Sequence, residues 1–178
     1  MKDKHIRRVK LRSVMREDYE SLFEWVNDRE TRIQSGAFKP VSWIEHVEWI
    51  ERTLRATDSE LLIIANQEDG SAIGHLLLTE ISKVHRSCSL FIRIGTEALR
   101  NKGIGTEAMG LFLEYAWRDL GLNRVQLTVR TDNLRAKKSY LKSGFRVEGV
   151  MRDAVFIDGE FRDLELLAVL RSDTDIVR

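Results

Sequence analysis

The residues best placed to do chemistry lie in Leu99-Arg100-Asn101-Lys102-Gly103-Ile104-Gly105-Thr106. An apolar, β-rich run, Ser89 to Ile94, ends just before this stretch. A helical stripe of Ile104, Ala108, Leu111, Phe112 and Tyr115 follows it. Two glycines and a basic pair, Arg100 and Lys102, therefore sit where a strand gives way to a helix N-terminus. Missing Cβ atoms let a bulky ligand reach the backbone, and the first helical N–H groups have no intrahelical partner. With the positive end of the helix dipole they form a site suited to a pyrophosphate.

Two other glycine loops fit less well. Gly103-Ile104-Gly105-Thr106-Glu107-Ala108 matches the loose dinucleotide fingerprint, which on its own is a weak signal. In that fold the loop follows the first strand directly, and an acid about 20 residues later binds the ribose. Here several strands come first, Gly95 to Lys102 separates strand from loop, and no acid ends the next strand at that distance. A P-loop is excluded because no Gly-Lys-Ser/Thr follows the glycines.

The elements that must position this loop can be read in order. Ile6 to Leu11 is expected as a first strand, and Tyr19, Leu22, Phe23 and Val26 as the stripe of a helix ending near Asn27. Residues 28–42, with the only proline, read as a loop. Ser42 and Glu45 form a capping box for a helix with Trp43, Val47, Ile50 and Leu54 on one face. Leu61 to Ala65 and Ala72 to Ile81 read as a hairpin around Asn66 to Gly70, with Gly74 at a bulge. Lys83 to Arg86 turns into the strand before the glycine loop. After the central helix, stopped by Gly121, Arg124 to Arg130 alternates as a strand. Asn133 caps a fourth helix that Gly144 ends, and Phe145 to Ile157 and Phe161 to Leu170 are strands joined at Asp158-Gly159. The order β-α-α-β-β-β-α-β-α-β-β predicts an α/β (α+β) fold, a mixed sheet of six or seven strands with four helices on it.

Composition narrows the class. A chain of 178 residues, 43% hydrophobic and 32% charged, is expected to be one domain over residues 1–178 with an ordinary core. Its net charge of +1 argues against general nucleic-acid or membrane adhesion, so an anion site must be a local patch. Cys88, the one cysteine, has no internal partner for a disulfide and reads as packed core. With no apolar run after the N-terminal charges and none of membrane-spanning length, the expected location is cytoplasmic. No metal site is expected, and the oligomeric state, a homodimer included, is left open.

Read with its flanks, the loop resembles the Arg/Gln-x-x-Gly-x-Gly/Ala motif of the GNAT N-acetyltransferases, with Arg100, Gly103 and Gly105 supplying the pattern. Asn133-Leu134-Arg135-Ala136-Lys137-Lys138-Ser139-Tyr140-Leu141-Lys142-Ser143-Gly144-Phe145 is similar to that family's Asn-x-x-Ala-x-x-x-Tyr-x-x-x-Gly-Phe segment. Two independent motifs on strand-to-helix junctions are far more specific than either alone, and the element order is also the family's.

The resemblance implies a mostly antiparallel sheet with splayed central strands and acetyl-CoA as cosubstrate. It implies that the N–H groups around Lys102, Gly103, Ile104 and Gly105 hold the pyrophosphate, with charge from Arg100 and Lys102 and with Asn133 opening the second motif. Backbone at Ile92 and Ile94 would pair with pantetheine, their side chains remaining core, and an N–H near Ile94 would face the developing oxyanion. Arg135, Lys137, Lys138 and Lys142 form either a second CoA-facing cluster or a solvated helix face. Tyr140 matches the family's general acid, and an ordinary phenol pKa near 10 keeps it protonated at neutral pH. The base is open. Many relatives carry a glutamate where this chain has Ser89, and Glu24, Glu80, Glu165, His46 and His75 remain candidates acting through water.

The resemblance also places acceptor specificity in the first two helices and their loop. Here Trp25, Asn27, Arg32 and His46 stand in Trp-x-Asn-Asp and Glu-His-x-x-Trp arrangements. These look like acetyltransferases of nucleotide-linked 4-amino sugars in the pseudaminic-acid pathway. They look less completely like ribosomal-protein N-terminal and polyamine acetyltransferases. Aromatic, amide and guanidinium groups suit a nucleobase and a sugar phosphate, whereas a polyamine would want more carboxylates than this mixed-sign segment offers. The expected acceptor order is amino-sugar nucleotide, protein N-terminus, polyamine. A catalytically silent acyl-CoA-binding protein would share the glycine loop but need not keep Tyr140. An acetyltransferase further requires the tyrosine helix to lie beside the glycine-loop helix across a split between neighbouring strands.

Overall fold

Runs rich in leucine, isoleucine and valine form the strands, and capped runs of helical period form the helices. The computed structural model describes residues 7–29, 39–95 and 102–174. In chain order the elements are β1 (Val9–Ser13), α1 (Asp18–Asn27), α2 (Trp43–Arg55), β2 (Glu60–Asn66), β3 (Ala72–Ser82) and β4 (Ser87–Ile94). Then come α3 (Ile104–Arg118), β5 (Arg124–Arg130), α4 (Leu134–Lys142), β6 (Arg146–Ile157), β7 (Glu160–Leu170) and a closing 3-10 turn (Arg171–Asp173). The capping box that opens α2 is complete: the Ser42 hydroxyl accepts from Glu45 N, and the Glu45 carboxylate accepts from Ser42 N at 2.9 Å. The first strand starts at Val9 and runs to Ser13, two residues beyond the expected Leu11, and the expected start at Ile6 lies outside the described residues.

The seven strands form one sheet in the order β1-β2-β3-β4-β5-β7-β6. Every neighbouring pair is antiparallel except β4 and β5. Strand alternation sends side chains to two cores. Leu76, Leu78, Cys88, Leu90, Val125 and Leu127 pack under α3, with Phe112 and Trp117 from that helix, and Ile92 and Ile94 pack at its margin. Leu61, Ile63 and Ala65 pack on the other face against Leu22 and Trp25 of α1 and Ile50 of α2. Each buried Leu or Ile contributes about 1.5–3 kcal/mol, so both helical layers are held firmly to the sheet. Burial pushes the Cys88 thiol up to about 12, so it stays protonated core rather than a nucleophile.

The parallel ladder is short. Ser87, Cys88 and Ser89 pair with Arg124, Val125 and Gln126, and the pairing stops there. Beyond Ser89, β4 keeps β3 as partner through Ile94 while β5 continues through Arg130 against β7. The sheet therefore splits into a V with its apex at Ser89 and Gln126. Two bulges flank this region. One falls beside Gly74, as expected, where a Cβ would lie 2.2 Å from the Arg93 carbonyl oxygen, a contact only glycine permits. The other, between Thr79 and Ser82, has no glycine and was not expected. No described helix is long and apolar enough to cross a membrane.

Candidate active site

Because β4 and β5 run parallel, the helices that follow them begin at the same end of the sheet. Gly103 precedes α3 with φ of +79°, the left-handed conformation glycine adopts without strain. Ile104 is buried, and Gly105 lies over the last residue of β4, its position for a Cβ 3.8 Å from Ile94 Cγ1. Arg8 steadies the turn by donating to the Lys102 carbonyl at 2.9 Å and to the Glu107 carboxylate at 2.9 Å. Glu107 also accepts from Arg8 N, so the acid in the first turn of α3 is drawn towards β1. Lys102 is exposed, and Arg100 lies outside the described residues.

Asn133 opens α4 by accepting from Ala136 N at 3.2 Å, so its side-chain oxygen is engaged in capping. The Thr106 and Ser139 hydroxyls meet at 3.0 Å and tie the start of α3 to α4. Tyr140, next along α4, packs against the α3 core beside Phe145, ring centres 6.0 Å apart. Burial pushes its phenol up to about 12, so it stays protonated throughout the neutral range. The two motif helices thus lie side by side across the split, as an acetyltransferase requires. The basic cluster on α4 divides: Lys137 donates to Glu165 at 2.7 Å, while Arg135, Lys138 and Lys142 are exposed.

The sheet face under α1 and α2 carries Ser89, Phe91 and Arg93 of β4, with His75 of β3 paired to Arg93. The Arg93 guanidinium lies 5.1 Å from the Phe91 ring centre. Trp25 stacks on His75 at 6.2 Å and covers the end of β4, where a Cβ on Gly95 would fall 2.0 Å from its ring. Burial, with Arg93 nearby, depresses the His75 pKa to about 3, and its Nδ1 has no partner among the described residues. A neutral imidazole with that pKa is a poor proton acceptor at pH 7.

The other expected acceptor contacts have different partners. The Asn27 amide donates to the Val41 and Phe23 carbonyls at 3.0 and 3.3 Å and accepts from Val41 N at 2.9 Å. It fastens the chain entering α2 to the end of α1. The His46 ring nitrogen Nε2 pairs with the Tyr19 carbonyl at 3.0 Å, donating in the neutral tautomer, and the ring is enclosed by Phe23, Trp43 and Trp49. Burial lowers its pKa. Both side chains are drawn into helix packing because a buried amide or imidazole must find local partners. Arg32 lies outside the described residues. Of that set, the structure brings Trp25 to the mouth of the V.

Of the candidate bases named from the sequence, Glu80 is the one the structure places at the apex. Glu80 sits in the second β3 bulge with φ of +54°, and its carboxylate accepts from the Ser89 hydroxyl at 2.5 Å. Gln126 of β5 donates to the same Ser89 oxygen at 3.3 Å. Only the register against β4 reveals the extra residue.

Comparison with known proteins agrees with this architecture. Residues 8–146 match the acetyltransferase (GNAT) domain family. A spermidine N(1)-acetyltransferase of Escherichia coli is 28% identical over 155 residues, 87% of this chain and 82% of that protein. An L-amino acid N-acetyltransferase of the same organism is 31% identical over 101 residues, 56% of this chain and 62% of that one. Among solved structures, the spermidine N-acetyltransferase of Vibrio cholerae in complex with CoA and spermine superposes with a TM-score of 0.87. At 24% identity, the superposition covers 93% of this chain and 97% of that one.

Proposed function

The chain belongs to the GNAT acetyltransferase family and is by that membership an N-acetyltransferase, and from there we propose that it moves the acetyl group of acetyl-CoA directly to a small primary amine within the V between β4 and β5. The observation that carries this reading is the pairing of two features at one end of the split. These are a left-handed glycine cap opening α3 and a protonated Tyr140 on the helix beside it. The residues present fit the cosubstrate. The backbone of β4 beyond Ser89 has no strand partner on the β5 side, so its N–H and C=O groups can pair with an amide-bearing pantetheine arm. The first N–H groups of α3, with Lys102 and Arg100, suit the pyrophosphate.

When bound, acetyl-CoA supplies an activated acyl carbon and a thiol leaving group. The β4 backbone orients the thioester, and an N–H at its end, near Ile94, opposes the charge that develops on the carbonyl oxygen. Tyr140 delivers a proton to the departing sulfur. Positioned acids of this kind contribute about 10²–10⁴-fold. Asn27 and His46 act indirectly, by fixing α1 against α2 so that Trp25 holds its place over β4.

For the acceptor, the names of the full-length relatives support a polyamine, moving that class ahead of the amino-sugar nucleotide expected first. A cavity of about 480 Å³ lined by Glu20, Phe23 and Trp43 offers a carboxylate and two rings to a distal ammonium. The amino-sugar reading retains one specific support: the Arg93 guanidinium on the acceptor-side face, a group that suits an anionic acceptor. Thiol release from acetyl-CoA with spermidine, a UDP-4-amino sugar and peptides with free N-termini separates them. Release with spermidine alone upholds the first reading, release with the amino sugar alone upholds the second, and release with the peptides alone contradicts both.

A further inference from the structure

Direct attack needs the acceptor nitrogen unprotonated, and a primary alkyl ammonium resembling lysine has a pKa near 10.4. Some group must take that proton. Most carboxylates near the sheet are already engaged. Glu165 is bound to Lys137, Glu148 to Arg124, Asp18 to Arg12, Glu107 to Arg8, and Glu45 to the cap of α2. Glu60 meets the Tyr115 phenol on the α3 face, away from the acceptor side. Glu80 differs in two respects. Its carboxylate meets a neutral hydroxyl, that of Ser89, and it lies at the apex of the V, where β4 and β5 part.

Its conformation is also strained. A non-glycine residue in the left-handed region is disfavoured and persists where the surroundings hold it. Here the bulge inserts one residue into β3 and the Ser89 hydroxyl fixes the carboxylate that results. Ser89 is fixed in turn by Gln126 across the parallel ladder, and Gln126 by Arg124 at 3.1 Å.

We propose that Glu80, held over the acceptor face by Ser89, is the proton acceptor that deprotonates the incoming ammonium, and that Ser89 is its positioning residue. The inference rests on the acetyl-transfer reading above. The proton balance is complete. The ammonium gives one proton to the Glu80 carboxylate through a file of waters in the wedge, because Ser89 lies about 16 Å along β4 from the Ile94 end that holds the carbonyl. The free amine forms the bond to the acetyl carbon, the carbon–sulfur bond breaks, and Tyr140 protonates the leaving thiolate. The nitrogen's surplus proton returns to the Tyr140 phenolate, and Glu80 releases its own proton to solvent. Arg93 lies on the same face of β4, and Arg124 on β5 is neutralised by Glu148. From the β2 side Asp58 presents its carbonyl to Ile81 N at 2.9 Å.

The test is steady-state kinetics of the full chain as a function of pH, using the best acceptor of the amine panel. Glu80→Gln should lower kcat/KM for that acceptor by 10²-fold or more at pH 7 with KM for acetyl-CoA unchanged. The deficit should close above pH 10, where the amine is deprotonated by solvent. Glu80→Gln combined with Ser89→Glu, which puts a carboxylate back at the apex, should recover at least tenfold of the loss. A Glu80→Gln enzyme within twofold of the parent at pH 7 overturns the proposal. So does a loss that stays constant with pH and is not recovered by the second substitution, since that marks a structural role. Failure of the acetyl-transfer reading looks different: the unaltered enzyme releases no thiol with any amine.

Discussion

Tyr140, His75 and Glu80 are all ionisable groups near the V, and their surroundings divide the work among them. Burial raises the Tyr140 phenol to about 12 and depresses His75 to about 3, so the first stays protonated and the second stays neutral in the physiological range. His75 has a measurable consequence for stability. Between its depressed pKa and the ordinary value near 6.5, the unfolded chain binds a proton that the folded one rejects. Stability from this residue is therefore complete above about pH 6.5 and is lost as pH falls towards 3. The slope reaches up to about 1.4 kcal/mol per pH unit, and His46, also depressed, adds in the same direction. Urea midpoints measured from pH 7.5 down to 4 should fall steeply below 6.5 in the unaltered chain. The fall should be clearly shallower in His75→Phe, and equal slopes would show that His75 charges without penalty. At this scale the sequence was a partial guide. Tyr140 stood out because its spacing is part of a recognisable segment. For Asn27 and His46, expected as acceptor contacts, the sequence did not show their local partners, the Val41 and Tyr19 backbone groups, because these are set by how α1 meets α2.

Element-level order was readable wherever one local signal decided it: the Ser42–Glu45 box, the Asp158-Gly159 turn, the alternation of Val125, Leu127 and Val129. Bulges were harder, because a bulge is a property of two strands. Gly74 could be flagged since glycine often marks close backbone approach, and the structure supplies that approach in the Arg93 carbonyl. The Glu80 bulge leaves no such trace, as Leu76, Leu78 and their neighbours alternate normally up to it. Gly74→Ala should therefore be costly even though the change is one methyl group. A Cβ 2.2 Å from a backbone oxygen must push β3 and β4 apart, a distortion of about 1–3 kcal/mol. Denaturant midpoints would register this as a loss with little change in slope, and an unchanged midpoint would mean that the two strands are free to separate.

For the molecule as a whole, the sheet does two jobs with one irregularity. Antiparallel ladders on either side of β4 and β5 give a continuous core, while the three-residue parallel ladder between them leaves a wedge open. Helix α3 closes one face and α1 with α2 the other. On the proposed reading, cosubstrate and acceptor enter from opposite sides and meet between the two strands. That division explains why the glycine loop and Tyr140 follow the split strands, while Trp25, Glu20 and Trp43 come from the first third of the chain. The first group was legible because its chemistry is carried by backbone geometry and one phenol. The acceptor side was not, because aromatic and charged residues on two amphipathic helices read equally well as packing or as recognition.

The measurement that bears most directly on this account is the pre-steady-state rate of acetyl transfer in Tyr140→Phe, with acetyl-CoA and acceptor both saturating. The account predicts a fall of about 10²–10³-fold in the transfer rate, with acetyl-CoA affinity within twofold of the parent and an unchanged melting temperature. A variant that folds, binds acetyl-CoA and transfers at the parental rate would contradict the central claim that Tyr140 is the proton donor of this site.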